Sequence, residues 1–160
     1  MKRIVLALSI SVVLVLLLAG CGGGTPKVDW ELKITGPVST PLTLSYSELA
    51  GMELVDLNDV LMEKSLGEDV MTSWSGVPLE TILNQAGAGD YASITALAAD
   101  GYAIEISKDE AQGAIVALKS SGEWIVNVAE EEGKGPIRLV CPETPANRWV
   151  FQLQELQVNE

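Results

Sequence analysis

A strand-rich, mixed α+β domain is what the sequence predicts, and three observations carry it. Apolar and polar residues alternate over several short runs, helical signals are confined to brief segments with their own caps, and no regular β-α-β alternation runs through the chain.

The elements follow in order. Trp30, Leu32 and Ile34 alternate with Glu31, Lys33 and Thr35, the two-residue period of a half-buried strand, which Gly36-Pro37 ends. Ser45-Tyr46-Ser47-Glu48 is a capping box that opens a helix of one or two turns, stopped by Gly51. Residues 52–62 read as a strand and Ser65 to Glu68 as the turn behind it. Trp74-Ser75-Gly76-Val77-Pro78 leads into a second helix. Pro78 suits its first position, Leu79, Ile82, Leu83 and Ala86 form its apolar face, and Gly87 closes it.

Ile94 to Leu97 reads as a strand, Asp100-Gly101 as a hairpin turn and Tyr102 to Ile106 as the return strand. A second capping box, Ser107 to Glu110, predicts another short helix. Ile115 to Leu118 and Trp124 to Val128 pair around Ser120-Ser121-Gly122. Glu130 to Gly135 is a charged, solvated loop. Ile137, Leu139 and Cys141 alternate in a strand that Pro142 ends, and Trp149 to Val158 forms the last strand. Sharing the inward phase of Ile137 and Leu139, Cys141 reads as a small buried hydrophobe.

Composition narrows the function. The chain has 160 residues, a length that suits one domain, with 22 acidic groups against 10 basic ones and a formal charge of −12. It contains no His, which removes Ser-His-Asp and Cys-His catalysis and imidazole metal sites. Two Cys cannot build a Cys₄ zinc site or a disulfide framework. The acidic balance argues against nucleic acid as a partner. Phosphate-binding glycine loops, nucleophile elbows and calcium-loop patterns are all missing from the sequence.

The N-terminus reads as an address. Met1-Lys2-Arg3 is a short basic region, and Ile4 to Leu18 is an apolar run of fifteen residues. As a helix it would span ~22 Å, short of the ~30 Å hydrocarbon core, so it suits a signal peptide rather than a permanent span. Leu18-Ala19-Gly20-Cys21 resembles a bacterial lipobox, in which the Cys is acylated and becomes the first mature residue. Gly22 to Gly24 behind it form a flexible tether. We therefore divide the chain into a signal peptide (1–20), a lipidated Cys21 with tether (21–28) and a folded domain (29–160). Beyond the leader, 140 residues carry all 22 acids against 8 basic groups, a formal charge of −14. The expected location is the cell membrane, lipid-anchored and facing outside the cytoplasm. The expected partners are that membrane and an envelope protein or small ligand.

A family resemblance then emerges from the order of motifs. These are Trp30 to Val38, Leu44 to Leu49, Trp74-Ser75-Gly76-Val77-Pro78-Leu79 continuing to Leu83, Asp100-Gly101-Tyr102, Gly135-Pro136-Ile137-Arg138-Leu139-Val140-Cys141-Pro142, and Trp149 to Val158. Together they resemble the molybdopterin-binding domain of the sulfite oxidase family. The resemblance implies that family's mixed α+β fold of twisted sheets with short helices, and molybdopterin as cofactor.

The same resemblance implies a molybdenum-ligating Cys on the segment before the Trp74 motif, where a soft thiolate completes the metal's sulfur-rich coordination. Residues 58–73 contain none; Met62 to Ser65 stand nearest in place, and the Ser65 hydroxyl is a poor substitute. An anionic pterin needs cationic groups, and this domain offers only Arg138 and Arg148 as arginines. Arg138 matches an Arg of the family's motif, Trp74 is a stacking candidate, and Tyr102 stands on the rim of its turn. The candidate cofactor-binding residues are thus Arg138, Trp74, Ser65, Tyr102 and Arg148, with Cys21 for lipidation and no catalytic or metal residue. With the thiolate missing and cations scarce, the expectation is a ligand-binding or interaction module holding no cofactor. The alternative is a molybdopterin-dependent oxidoreductase that passes electrons to a membrane partner.

Overall fold

The computed structural model describes residues 24–126 and 135–160. The proposed leader, Cys21 and most of the Glu130–Gly135 loop lie outside the described residues.

Among the described residues, two five-stranded sheets carry the fold. The first contains β1 (Glu31–Thr35), β2 (Leu42–Ser45), β5 (Ser93–Ala98), β6 (Ala103–Ser107) and β10 (Leu153–Asn159), in the order β2-β1-β10-β5-β6. The last strand sits in the middle of this sheet, parallel to β1 with Ile34 opposite Leu156 and antiparallel to β5 with Leu156 opposite Ala96. Pairing between β1 and β10 makes the domain depend on contacts more than a hundred residues apart.

The second sheet runs β3 (Val55–Met62), β4 (Val70–Pro78), β7 (Ile115–Ser120), with β8 (Glu123–Trp124) and β9 (Arg138–Val140) both pairing along the far side of β7. The strand at 70–78 is absent from the sequence reading. Its inner half is Trp74, Gly76 and Val77, and its outer half is exposed, so no clean alternation marks it.

Among the described residues, two α-helices attach to these sheets. α1 (Tyr46–Ala50) starts at Ser45, whose hydroxyl accepts from Glu48 N–H while the Glu48 carboxylate takes the Ser45 N–H. Tyr46, fully buried, donates to Ile125 O at 3.2 Å, so α1 is pinned to the second sheet although its Ser45 cap belongs to the first. α2 (Leu79–Ala86) buries Leu79, Ile82, Leu83 and Ala86, and Gly87 ends it at φ +68°, a left-handed cap that a Cβ would strain. Here Pro78 stands at the cap position rather than the first helical one. These side chains join those of both sheets in one continuous core.

Two expectations are corrected. The Ser107–Glu110 box forms as written, with Ser107 N–H on the Glu110 carboxylate and Glu110 N–H on Ser107 Oγ. It nevertheless caps only a single turn, because Gly113 turns to φ +68° and leads straight into β7. The final strand begins at Leu153, not Trp149. Ala146 to Arg148 make a 3₁₀ turn, Trp149 and Val150 run past β9 with Val150 bridging Leu139, and Gln152 at φ +53° breaks the extended backbone.

Candidate functional site

The second sheet and the segment after β9 assemble an arginine among aromatic rings. Trp74 points inward from β4, 2% exposed, and its indole N–H donates to Thr72 Oγ1 at 2.8 Å. Trp149 meets it edge-on, centroids 6.0 Å apart at 88°, the arrangement favoured by the ring quadrupoles. The Trp149 N–H donates to Cys141 O at 2.8 Å and fixes that ring. Arg138 on β9 lies between two rings, its guanidinium carbon 5.0 Å from the Trp74 centroid and 4.9 Å from that of Phe151. Burial lowers the Arg138 pKa to about 10, which leaves it cationic at neutral pH.

Tyr102 stands on the outer side of this cluster. Its backbone N–H is held by Asp100 Oδ1 in the β5–β6 turn, and its hydroxyl donates to Asn147 O at 3.3 Å. Between Tyr102, Trp149 and Phe151 opens a groove of about 300 Å³, with Asp100 and Asn147 on its rim. Two rings, Trp149 and Phe151, therefore belong to both the groove and the arginine cluster.

The structure brings Arg138, Trp74 and Tyr102 into one neighbourhood and leaves the other two candidates apart. Arg148 lies in the segment that supplies Trp149, but its guanidinium turns away. Nε and one terminal nitrogen grip the Glu110 carboxylate, each at 2.8 Å, and that nitrogen also donates to Glu105 O at 2.7 Å. Held by this fork and by the Ser107 N–H, the Glu110 carboxyl drops to a pKa of about 2. Ser65 is exposed in the bend joining β3 to β4. Trp149 and Phe151, the rings that complete the site, were absent from the sequence candidates. Their signal was the Trp149 motif itself, read there as strand.

The end of β3 packs on the segment after β9, where Ala146 N–H donates to Glu63 O at 3.0 Å. A cavity of about 200 Å³ beside it is lined by Leu61, Glu63, Glu143 and Thr144. Cys141 is fully buried nearby, and desolvation pushes its thiol up to about 12. No cluster of three or more His, Cys, Asp or Glu able to hold a metal occurs among the described residues. Carboxylates and a buried neutral thiol do not fit a thiolate-ligated molybdenum at this place. The Glu63 and Glu143 carboxylates of that lining also fit an anionic pterin poorly.

The strand-rich mixed sheets with few short helices are those of a sulfite oxidase-like molybdopterin-domain fold. The sequence profile of the oxidoreductase molybdopterin binding domain matches residues 22–160, and the chain belongs to that family. Among solved structures it is similar to the sulfane dehydrogenase SoxCD from Paracoccus pantotrophus. The TM-score is 0.70 at 20% identity, over 85% of this chain and 40% of that one. This chain thus spans less than half of that longer chain, and the likeness shows the fold. No match was found among curated protein sequences.

Proposed function

We propose that the protein is a lipid-anchored, extracytoplasmic member of this family whose domain acts as a ligand-binding or interaction module without molybdenum catalysis. One observation carries the reading: a chain matched by the family profile over residues 22–160 has no Cys at 58–73, and its Cys141 is sealed in the core as a neutral thiol. A thiolate ligand needs both access and deprotonation, and Cys141 has neither. The groove bounded by Tyr102, Trp149 and Phe151 is the natural place for a small ligand, with Arg138 supplying a positive potential behind its aromatic wall.

The lipobox at Leu18 to Cys21 and the glycines behind it support an acylated anchor. A Cys21→Ser variant should lose fatty-acid labelling and leave the lipid-anchored membrane fraction; unchanged labelling would sink the anchor. For the domain, the full chain is expressed in a host that makes molybdopterin, and molybdenum and pterin are both quantified. Protein free of both is the expected result. Stoichiometric molybdenum with pterin would instead overturn this reading in favour of the second, a molybdopterin-dependent oxidoreductase, the class that the family match over residues 22–160 supports.

A further inference from the structure

A separate groove of about 570 Å³ lies between α2 and the single turn after Ser107. Its volume falls in the ordinary range for small-ligand sites. Its two walls carry the same pair of chemistries. Glu80 and Asn84 stand at i and i+4 on α2, and Asp109 and Gln112 stand at i and i+3 on the turn. Leu83 and Ala111, nearly fully buried, belong to the apolar part of the lining between them.

The charges at this groove select against anions. The ammonium among its described lining residues, Lys108, pairs with the Asp90 carboxylate and lies 5.3 Å from the centre of the Tyr91 ring. Glu80 and Asp109 remain as net negative charge, on a domain that is already strongly acidic. A purely apolar ligand would strip water from two carboxylates and two carboxamides without returning hydrogen bonds. A bare metal ion would find only the Glu80 and Asp109 carboxylates in this lining, and no group of three or more His, Cys, Asp or Glu able to hold one occurs among the described residues. Hydroxyls donate to carboxylates and accept from carboxamides, so a polyol satisfies every group on both walls.

Shape adds length to this chemistry. A second groove of about 410 Å³, with Ser39, Asp90 and Glu160 in its lining, shares Gly89 and Tyr91 with the first. The two adjoin at Gly89 and Tyr91, and together they suit an elongated ligand rather than a single ring. We propose that these joined grooves bind a neutral oligosaccharide, with Asn84, Gln112, Glu80 and Asp109 as its hydrogen-bonding partners. None of these side chains belongs to the Arg138 cluster, so this site can fail while the reading above stands, and the reverse.

The test is isothermal titration of the full chain in a non-glycosidic detergent with cellotetraose and chitotetraose, alongside glucose and N-acetylglucosamine. One tetrasaccharide should bind saturably and at least tenfold more tightly than its monomer. An Asn84→Ala/Gln112→Ala double variant should weaken it at least tenfold with an unchanged thermal melt, since both side chains are exposed. Lack of saturable binding by either tetrasaccharide overturns the proposal, as does binding that the double variant leaves intact. Tighter binding of tetralysine than of either sugar overturns it in favour of a basic peptide.

Discussion

Replacing Gly76 with Ala tests how the second sheet is built. Gly76 pairs with Ala117 across β4 and β7, next to a register shift between Ser75 and Gly76. A Cβ there would fall within 3 Å of Val116 O, Val116 C and Ala117 Cα, all backbone atoms of a central strand. No side chain can swing aside, so the two strands must separate where Val77, Val116 and Ala117 are completely buried. Overpacking of this kind costs roughly 1–3 kcal/mol, and a clash with backbone belongs at the upper end, about 3 kcal/mol. In a domain of this size each kcal/mol moves the melting temperature by ~3–4 °C, so a fall of about 10 °C is expected. Circular dichroism melts and urea titrations measure both quantities. The paired control is Gly89→Ala, where a Cβ meets nothing within 4 Å and the backbone is not left-handed. That change should be neutral or stabilise by up to about 1 kcal/mol, because it restricts the unfolded chain. A Gly76→Ala protein within 1 kcal/mol of the parent would refute the steric account.

Three further outcomes are expected. Glu110, held at a pKa of about 2 in the folded protein against an ordinary 4.5, lends stability that is fully present above pH 4.5 and fades as pH falls toward 2. Its side chain is 31% exposed, so solvent screening limits the effect to about 1 kcal/mol, and Glu110→Gln should flatten that acid limb in urea melts at pH 7 and pH 3. In a Cys21→Ser background, Cys141 should resist iodoacetamide at pH 8 in the native protein and react readily in urea; prompt native labelling would contradict its burial. A double-mutant cycle of Arg138→Met with Phe151→Leu should return about 1 kcal/mol of coupling, and a value near zero would deny the cation–π contact.

Local rules read well from the sequence. Both capping boxes form the hydrogen bonds their spacing requires, and α2 buries the four residues that its period selects. Gly87 ends α2 and the Asp100-Gly101 turn joins β5 to β6, each through chemistry written within a few residues. The errors arose where a local rule competed with the wider chain. The turn after Ser107 stops early because β7 must begin at Ile115, and Trp149 stays off the last strand because it is drawn across β9 toward Trp74.

The candidate site was legible only in part. Motif order brought out Arg138, Trp74 and Tyr102, which the fold does bring near one another; Ser65, chosen by its place before the Trp74 motif, and Arg148, chosen as an arginine, lie apart from them. An arginine's residue type says nothing of which carboxylate will claim it. Glu110 lies 38 residues before Arg148, and only the packing of the post-β6 turn beside the 3₁₀ turn joins them.

By itself the sequence determined the strand-rich mixed fold and the helix caps, and it holds no Cys at 58–73, because each is a matter of residue type at short spacing. Tertiary structure decided that the last strand enters the middle of the first sheet. It decided too that Arg138 lies between Trp74 and Phe151 and that Cys141 is sealed from solvent. Those outcomes depend on which distant surfaces pack together, a free-energy balance over the whole core that no local run of residues records.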